Sequence, residues 1–206
     1  MLLYAVTDRA WVGDGTLYDQ VEQCLKGGAT LVQIREKGLS HADFVAEAKE
    51  IVALCHRYGV LCVINDDVQA CIESGADGVH VGQDDMEAGD VRALLGEGKL
   101  IGVSAHSVAQ AQLAEQRGAD YIGVGAVHST GTKTDAAPLT HQQICDICSS
   151  VSIPATAIGG IKLDNMMELQ GTGVAGVAIV SGIFAAPDIR AATEALLAQA
   201  KRLVQA

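Results

Sequence analysis

Short apolar runs alternate along the chain with longer stretches in which apolar side chains recur every three or four positions. The runs 2–7, 30–34, 60–64, 77–81, 100–103, 121–124, 153–158 and 176–180 are apolar on both faces, the pattern of strands covered on two sides in a parallel sheet. Between them, Leu17, Val21, Cys24 and Leu25 keep to one stripe of a helix. Ser40 with Asp43, Ser107 with Gln110 and Thr140 with Gln143 have the spacing of helix-starting caps, and Pro187 suits the first turn of a last, alanine-rich helix. The pattern predicts eight strand-then-helix units.

An internal repeat supports that count. The segments GGATLVQI, SGADGVHV, RGADYIGV and TGVAGVAI each place a helix-ending glycine just ahead of a strand, at Gly28, Gly75, Gly118 and Gly173. Their separations of 47, 43 and 55 residues correspond to two βα units per repeat. The expected architecture is an α/β (β/α)8 TIM barrel formed as one domain over residues 1–206, with an open doubly wound sheet as the alternative.

Composition narrows the function classes. Lys and Arg number 14 against 25 Asp and Glu, a net charge of −11 that repels a phosphate backbone, and the aromatic residues are too few for a base-stacking platform. No nucleic-acid partner is expected. No apolar run approaches the roughly 18 residues of a membrane span, and Asp8 and Arg9 interrupt the first run, so the expectation is a cytoplasmic protein with no membrane partner. The six cysteines sit in apolar segments and read as reduced core thiols; Cys145 and Cys148 form a lone C-x-x-C on a helical pattern.

In a barrel of this kind the chemistry sits at the C-terminal ends of the strands. Strand two runs into Gln33, Arg35 and Lys37, alternating with Ile34 and Glu36, an arrangement that fits an anion clamp or a solvated charge cluster. Strand three ends in Asn65, Asp66 and Asp67, and strand four in Gln83, Asp84 and Asp85. Asp66 and Asp85 suit Mg²⁺, which takes oxygen ligands and bridges carboxylates to phosphates; the competing reading has Asp67 and Asp85 or its neighbour capping helices. Ser104 and His106 follow strand five, and Thr130, Gly131, Thr132 and Lys133 follow strand six. Gly159 and Gly160, with Val180, Ser181 and Gly182 at the next strand, match the phosphate site that such barrels place at their last two strands. His80 reads as a packed strand residue, whereas His106 and His128 are candidate acids or bases.

Together QIREK (33–37), NDD (65–67), GVHVGQDD (78–85), GVSAH (102–106), STGTKTD (129–135) and AIGGI (157–161) resemble thiamine-phosphate synthase from the first strand to the last helix. The resemblance implies a transferase that joins a hydroxymethylpyrimidine diphosphate to a thiazole phosphate, or its carboxylated form, releasing pyrophosphate. It implies that Gln33, Arg35, Lys37, Asn65, Ser104 and Lys133 hold the pyrimidine diphosphate and that Asp66 and Asp85 bind Mg²⁺. Thr130, Gly131, Thr132, Gly160, Val180 and Ser181 would hold the thiazole phosphate. Arg35, Lys37 and Lys133 would act as the catalytic cations, meeting the leaving group as charge develops on it. Where the family often has a proline and an aromatic residue, this chain reads GAVHS at 125–129. A thiazole tautomerase and a non-catalytic thiazole-phosphate sensor of the same fold stay open as alternatives, and a homo-oligomer also stays open. A Schiff-base aldolase using Lys133 is disfavoured, because a loop lysine between two threonines lacks the desolvation that lowers an amine pKa.

Overall fold

The computed structural model describes residues 1–82, 88–129 and 138–205. Eight parallel strands, β1 (Leu3–Val6), β2 (Leu31–Ile34), β3 (Leu61–Asn65), β4 (Gly78–Val81), β5 (Leu100–Ala105), β6 (Tyr121–Val124), β7 (Ala155–Ile158) and β8 (Gly176–Ile179), close into a barrel in sequence order. Closure is made where Tyr4 of β1 stands in register with Leu31 of β2 on one side and with Ala178 of β8 on the other. The open-sheet alternative is thereby excluded. Strand ends differ from the sequence expectation by one or two residues, most visibly at β5, which continues through Ser104 to Ala105.

The helices α1 (Leu17–Lys26), α2 (His41–Arg57), α3 (Val68–Ser74), α4 (Ala88–Leu95), α5 (Val108–Gln116), α6 (His141–Ser149), α7 (Ser181–Phe184) and α8 (Ile189–Gln205) surround the barrel. At ten residues α1 is too short to persist alone. Its stripe of Leu17, Val21, Cys24 and Leu25 is buried, and about 1.5–3 kcal/mol for each large apolar side chain removed from water decides the matter. Ser40, Ser107 and Thr140 cap α2, α5 and α6 as the spacing predicts, and Thr140 with Gln143 completes a reciprocal capping box. The repeat glycines Gly28, Gly75, Gly118 and Gly173 all adopt positive φ, between 75° and 94°. That is the left-handed conformation that ends a helix and turns the chain into the next strand.

Two local expectations change. Pro187 lies ahead of α8 rather than in its first turn, because the Asp188 carboxylate accepts the Ala191 N–H at 2.9 Å and takes the capping position itself. The seventh unit carries a 3₁₀ helix, Met166–Leu169, in place of an α-helix. The Asn165 side chain folds that short connection into a turn, accepting from Lys162 N–H at 2.7 Å and donating to the Gly160 carbonyl at 3.0 Å.

The core has two parts. A large apolar shell joins the outer faces of the strands to the helices, and a small cluster around Tyr4, Val6, Leu31, Val63, Tyr121 and Ala178 fills the barrel interior. Cys24, Cys55, Cys62 and Cys71 are buried free thiols; Cys145 and Cys148 are free and half-buried. Among the described residues no helix is long and apolar enough to cross a membrane.

Candidate active site

The upper barrel interior opens into a cavity of about 140 Å³ at the C-terminal ends of the strands. Its floor is polar because two aromatic hydroxyls replace the branched aliphatic side chains usual in barrel interiors. Gln33 donates its amide N–H to the Tyr4 hydroxyl; Tyr4 and Tyr121 meet hydroxyl to hydroxyl at 2.9 Å. Tyr121 Oη lies 3.2 Å from His80 Nδ1, and His80 Nε2 lies 3.1 Å from Ser104 Oγ. Register explains the contact, since His80 and Tyr121 both stand opposite Gly102, from strands on either side of it. A Cβ at Gly102 would fall 2.1 Å from Tyr121 Cζ and 2.5 Å from His80 Nδ1, so only glycine leaves the two rings room to meet. Burial pushes both phenols well above their ordinary range, which keeps their protons on at neutral pH.

His80 is therefore packed, as its strand position suggests, but it also lines the cavity and bonds to a candidate substrate ligand. Neither Tyr4 nor Tyr121 was legible as a site residue from motif spacing. The signal available was strand parity, which puts Tyr4, Gln33, His80 and Tyr121 on inward positions.

On the β2 side the expected clamp divides. Arg35 lines the cavity, its guanidinium 3.7 Å from Asp8 and its backbone N–H donated to Thr7 Oγ1 at 2.9 Å. Lys37 stands at the rim, exposed, with Nζ 2.8 Å from Asp66 Oδ2. The strand ends at Ile34, so the alternation expected to continue through Lys37 stops there. The residue between the two cations, Glu36, turns inward. Its carboxylate accepts from the backbone N–H of Lys37 at 2.8 Å and of Gly38 at 2.7 Å, and from Arg9 Nε at 2.5 Å; Arg9 also grips Glu47 of α2. Burial by itself would raise the Glu36 pKa, but these hydrogen bonds together outweigh it and hold the carboxyl below its usual range. Glu36 and Arg9 thus set the backbone that carries Arg35 and Lys37, and motif reading missed both.

At the end of β3, Asn65 lines the cavity and donates to Asp66 Oδ2 at 2.5 Å. Asp66 has φ 63°, a left-handed conformation that costs a residue with a side chain roughly 1–2 kcal/mol. The next residue, Asp67, caps α3 by accepting the Ala70 N–H at 2.8 Å. The two neighbouring carboxylates thus divide between the readings considered from sequence: Asp67 starts a helix and Asp66 stands at the rim. An oxygen donor there fits Mg²⁺, which keeps several waters and needs only one or two carboxylates from protein. Among the described residues no group of three metal-ligating side chains gathers. Asp85, Thr130, Gly131, Thr132 and Lys133 lie outside the described residues.

Across the barrel, Gly159 and Gly160 follow β7 at φ 105° and 66°, and with Val180 and Ser181 they line the cavity. A Cβ at Gly160 would meet the Ser129 carbonyl at 2.7 Å and His128 Cβ at 2.8 Å, so the turn is packed from below as well as left-handed. His106 lines the cavity with Nδ1 on the Gly125 carbonyl, while His128 packs against Gly160.

The family profile for thiamine monophosphate synthase matches residues 3–183. The chain belongs to the thiamine monophosphate synthase family. Membership makes it a transferase, and its relatives are similar over nearly their whole length. The thiamine-phosphate synthase of Ruminiclostridium cellulolyticum is 46% identical over 195 residues, covering 95% of this chain and 93% of that one. The thiamine-phosphate synthase of Clostridium acetobutylicum is 44% identical over 188 residues, covering 91% and 89%. Among solved structures, thiamine phosphate pyrophosphorylase from Pyrococcus furiosus superposes with a TM-score of 0.91 at 34% identity, covering 98% of this chain and 96% of its own.

Proposed function

We propose that this transferase joins a 4-amino-2-methylpyrimidine carrying a diphosphooxymethyl group to 4-methyl-5-(2-phosphooxyethyl)thiazole, or its carboxylated form, by dissociative substitution. The observation that carries this reading is the pairing of two anion-suited walls across one cavity. Arg35, Asn65 and Ser104 line it from the ends of β2, β3 and β5, and Gly160 and Ser181 line it from just beyond β7 and β8.

The bond from the pyrimidine methylene carbon to the diphosphate oxygen breaks first, and its electron pair leaves with the diphosphate. The amino group of the ring stabilises the benzylic-type cation that remains. The thiazole nitrogen then supplies the pair for the new C–N bond, giving thiamine phosphate and pyrophosphate with no protein nucleophile; the carboxylated thiazole in addition loses its carboxyl group as carbon dioxide. Arg35, Lys37 and Lys133 stabilise the charge that develops on the departing oxygens, the kind of interaction that strengthens in the transition state. Gln33 and Asn65 orient the pyrimidine, and Ser104 donates to the diphosphate. The backbone at Gly160, Val180 and Ser181, with Thr130, Gly131 and Thr132, holds the thiazole phosphate, and the two pockets fix the line of attack. Asp66 and Asp85 would hold Mg²⁺, which when bound neutralises diphosphate charge. The substrates are small molecules, and the net charge of −11 is no obstacle because local cations set the potential in the mouth.

The test is formation of thiamine phosphate and pyrophosphate from the two substrates, with Mg²⁺ and with a chelator. Metal-dependent product supports the reading. Saturable thiazole-phosphate binding without product would move the assignment to a tautomerase or a sensor. Asp66→Asn keeps a side chain tolerant of the left-handed backbone, so the expected loss of Mg²⁺-dependent turnover reports on the carboxylate. Unchanged turnover in that variant would remove Asp66 from the metal site.

A further inference from the structure

The chain of contacts beneath the cavity has a direction. Gln33 Nε2 can only donate, so the Tyr4 oxygen accepts from it. The distance between the two phenols suits either donor, and Tyr4 donating to Tyr121 is the polarity that gives the buried Tyr4 proton an acceptor. The Tyr121 proton is then directed at His80 Nδ1. A neutral imidazole whose Nδ1 accepts must carry its proton on Nε2, and that nitrogen faces Ser104 Oγ at 3.1 Å. Each hydroxyl has a single proton, so one amide orientation at Gln33 propagates across the barrel through four side chains. Both phenols are fully buried and stay protonated, so neither loses its proton to solvent base near neutral pH. Gly102 and Gly123 hold the space open: a Cβ at Gly123 would come within 3.0 Å of His80 Cε1.

We propose that Tyr121, backed by Tyr4 and Gln33, is a positioning residue that fixes His80 as its Nε2–H tautomer, and that His80 thereby makes Ser104 an acceptor on its barrel side and a proton donor toward the diphosphate. The role of Ser104 rests on the function proposed above; the tautomer does not. In the opposite polarity His80 Nε2 would accept the Ser104 proton, and the serine could not offer that proton to a leaving oxygen. The hydroxyl row therefore decides whether Ser104 helps or hinders departure of the diphosphate. The same polarity leaves the Gln33 carbonyl oxygen as an acceptor suited to the amino group of the pyrimidine.

The tautomer is read from two-bond ¹H–¹⁵N correlation spectra of the ligand-free protein labelled at histidine. The expected spectrum assigns His80, by its absence in His80→Gln, to the Nε2–H form; an Nδ1–H signal overturns the proposal whatever the enzyme catalyses. In Tyr121→Phe the ring loses the donor at Nδ1, and the spectrum is expected to show both tautomers. With it, kcat is expected to fall roughly 10-fold, the scale on which removal of an orienting partner behind a site ligand acts, with KM for the pyrimidine diphosphate little changed. Tyr4→Phe leaves the Tyr121 donor in place and is expected to cost less. A Tyr121→Phe enzyme with wild-type kcat, or a loss of the same size in Tyr4→Phe with His80 still in one tautomer, overturns the proposal. Failure of the wild-type protein to form thiamine phosphate would refute the proposed function and leave the tautomer result standing on its own.

Discussion

At the scale of single residues, four glycines (Gly123, Gly125, Gly159 and Gly160) line the cavity among the described residues, against Arg35 alone of the Asp, Glu, Lys and Arg side chains. Gly102 provides the clearest test, because its Cβ would stand 2.1 Å from Tyr121 Cζ and 2.4 Å from Tyr121 Oη, whereas the nearest approach at Gly123 is 3.0 Å. Overpacking of this kind costs about 1–3 kcal/mol, so Gly102→Ala is expected to lower Tm by roughly 3–10 °C. Gly123→Ala should lower it by less, and equal shifts in thermal melts would contradict the packing account. Asp66 shows the other use of backbone at a site, a left-handed residue that aims a carboxylate at the rim. Much of this residue-level detail was legible. Gln33, Arg35, Asn65, Ser104, Gly160, Val180 and Ser181 were read from strand ends and from the family resemblance, and all line one cavity. Tyr4, His80 and Tyr121 carry no spacing signature as a group, because register through Gly102 brings His80 to Tyr121 and Tyr4 meets Tyr121 across the barrel interior.

At the scale of elements, the βα loops are held by carboxylates and hydroxyls that act on backbone amides. Thr140 and Gln143 close a reciprocal capping box at the start of α6, directly after the segment that carries Lys133. Thr140→Ala is expected to cost about 1 kcal/mol, seen as a fall in Tm of roughly 2–4 °C, with Thr140→Ser close to wild type. Such caps announce themselves in sequence because donor and acceptor lie three residues apart. The Glu36 anchor did not, since the residue that completes it, Arg9, is 27 positions earlier and in another loop. Two elements went astray for local reasons. The connection after β7 is folded by Asn165 into a 3₁₀ turn, and Asp188 displaces Pro187 from the first turn of α8.

At the scale of the molecule, barrel closure makes the loops after neighbouring strands depend on one another, and Glu36 is where that dependence titrates. Its carboxyl is held below the usual value in the folded protein, so the stabilisation is fully present above the unfolded value of about 4.3 and is lost as pH falls through the folded value. Thermal melts from pH 7 to pH 3 should therefore show Tm falling below about pH 4.3. In Glu36→Gln the fall should be shallower and start from a lower Tm; parallel curves for the two proteins would exclude this linkage. The barrel also separates its two ends by task. Apart from Tyr4 and Thr156, which sit deeper in the barrel, the described cavity residues lie toward the C-terminal ends of the strands or beyond them, while the turns that bring helices back into strands occupy the opposite rim. In one of those turns Gly98 is exposed, outside the left-handed region, with nothing within 4 Å of a Cβ built on it. With the half-buried Cys145 and Cys148 replaced by serine, Gly98→Cys could be coupled to a resin or an electrode, and molecules held through it would present their mouths to the flowing solution.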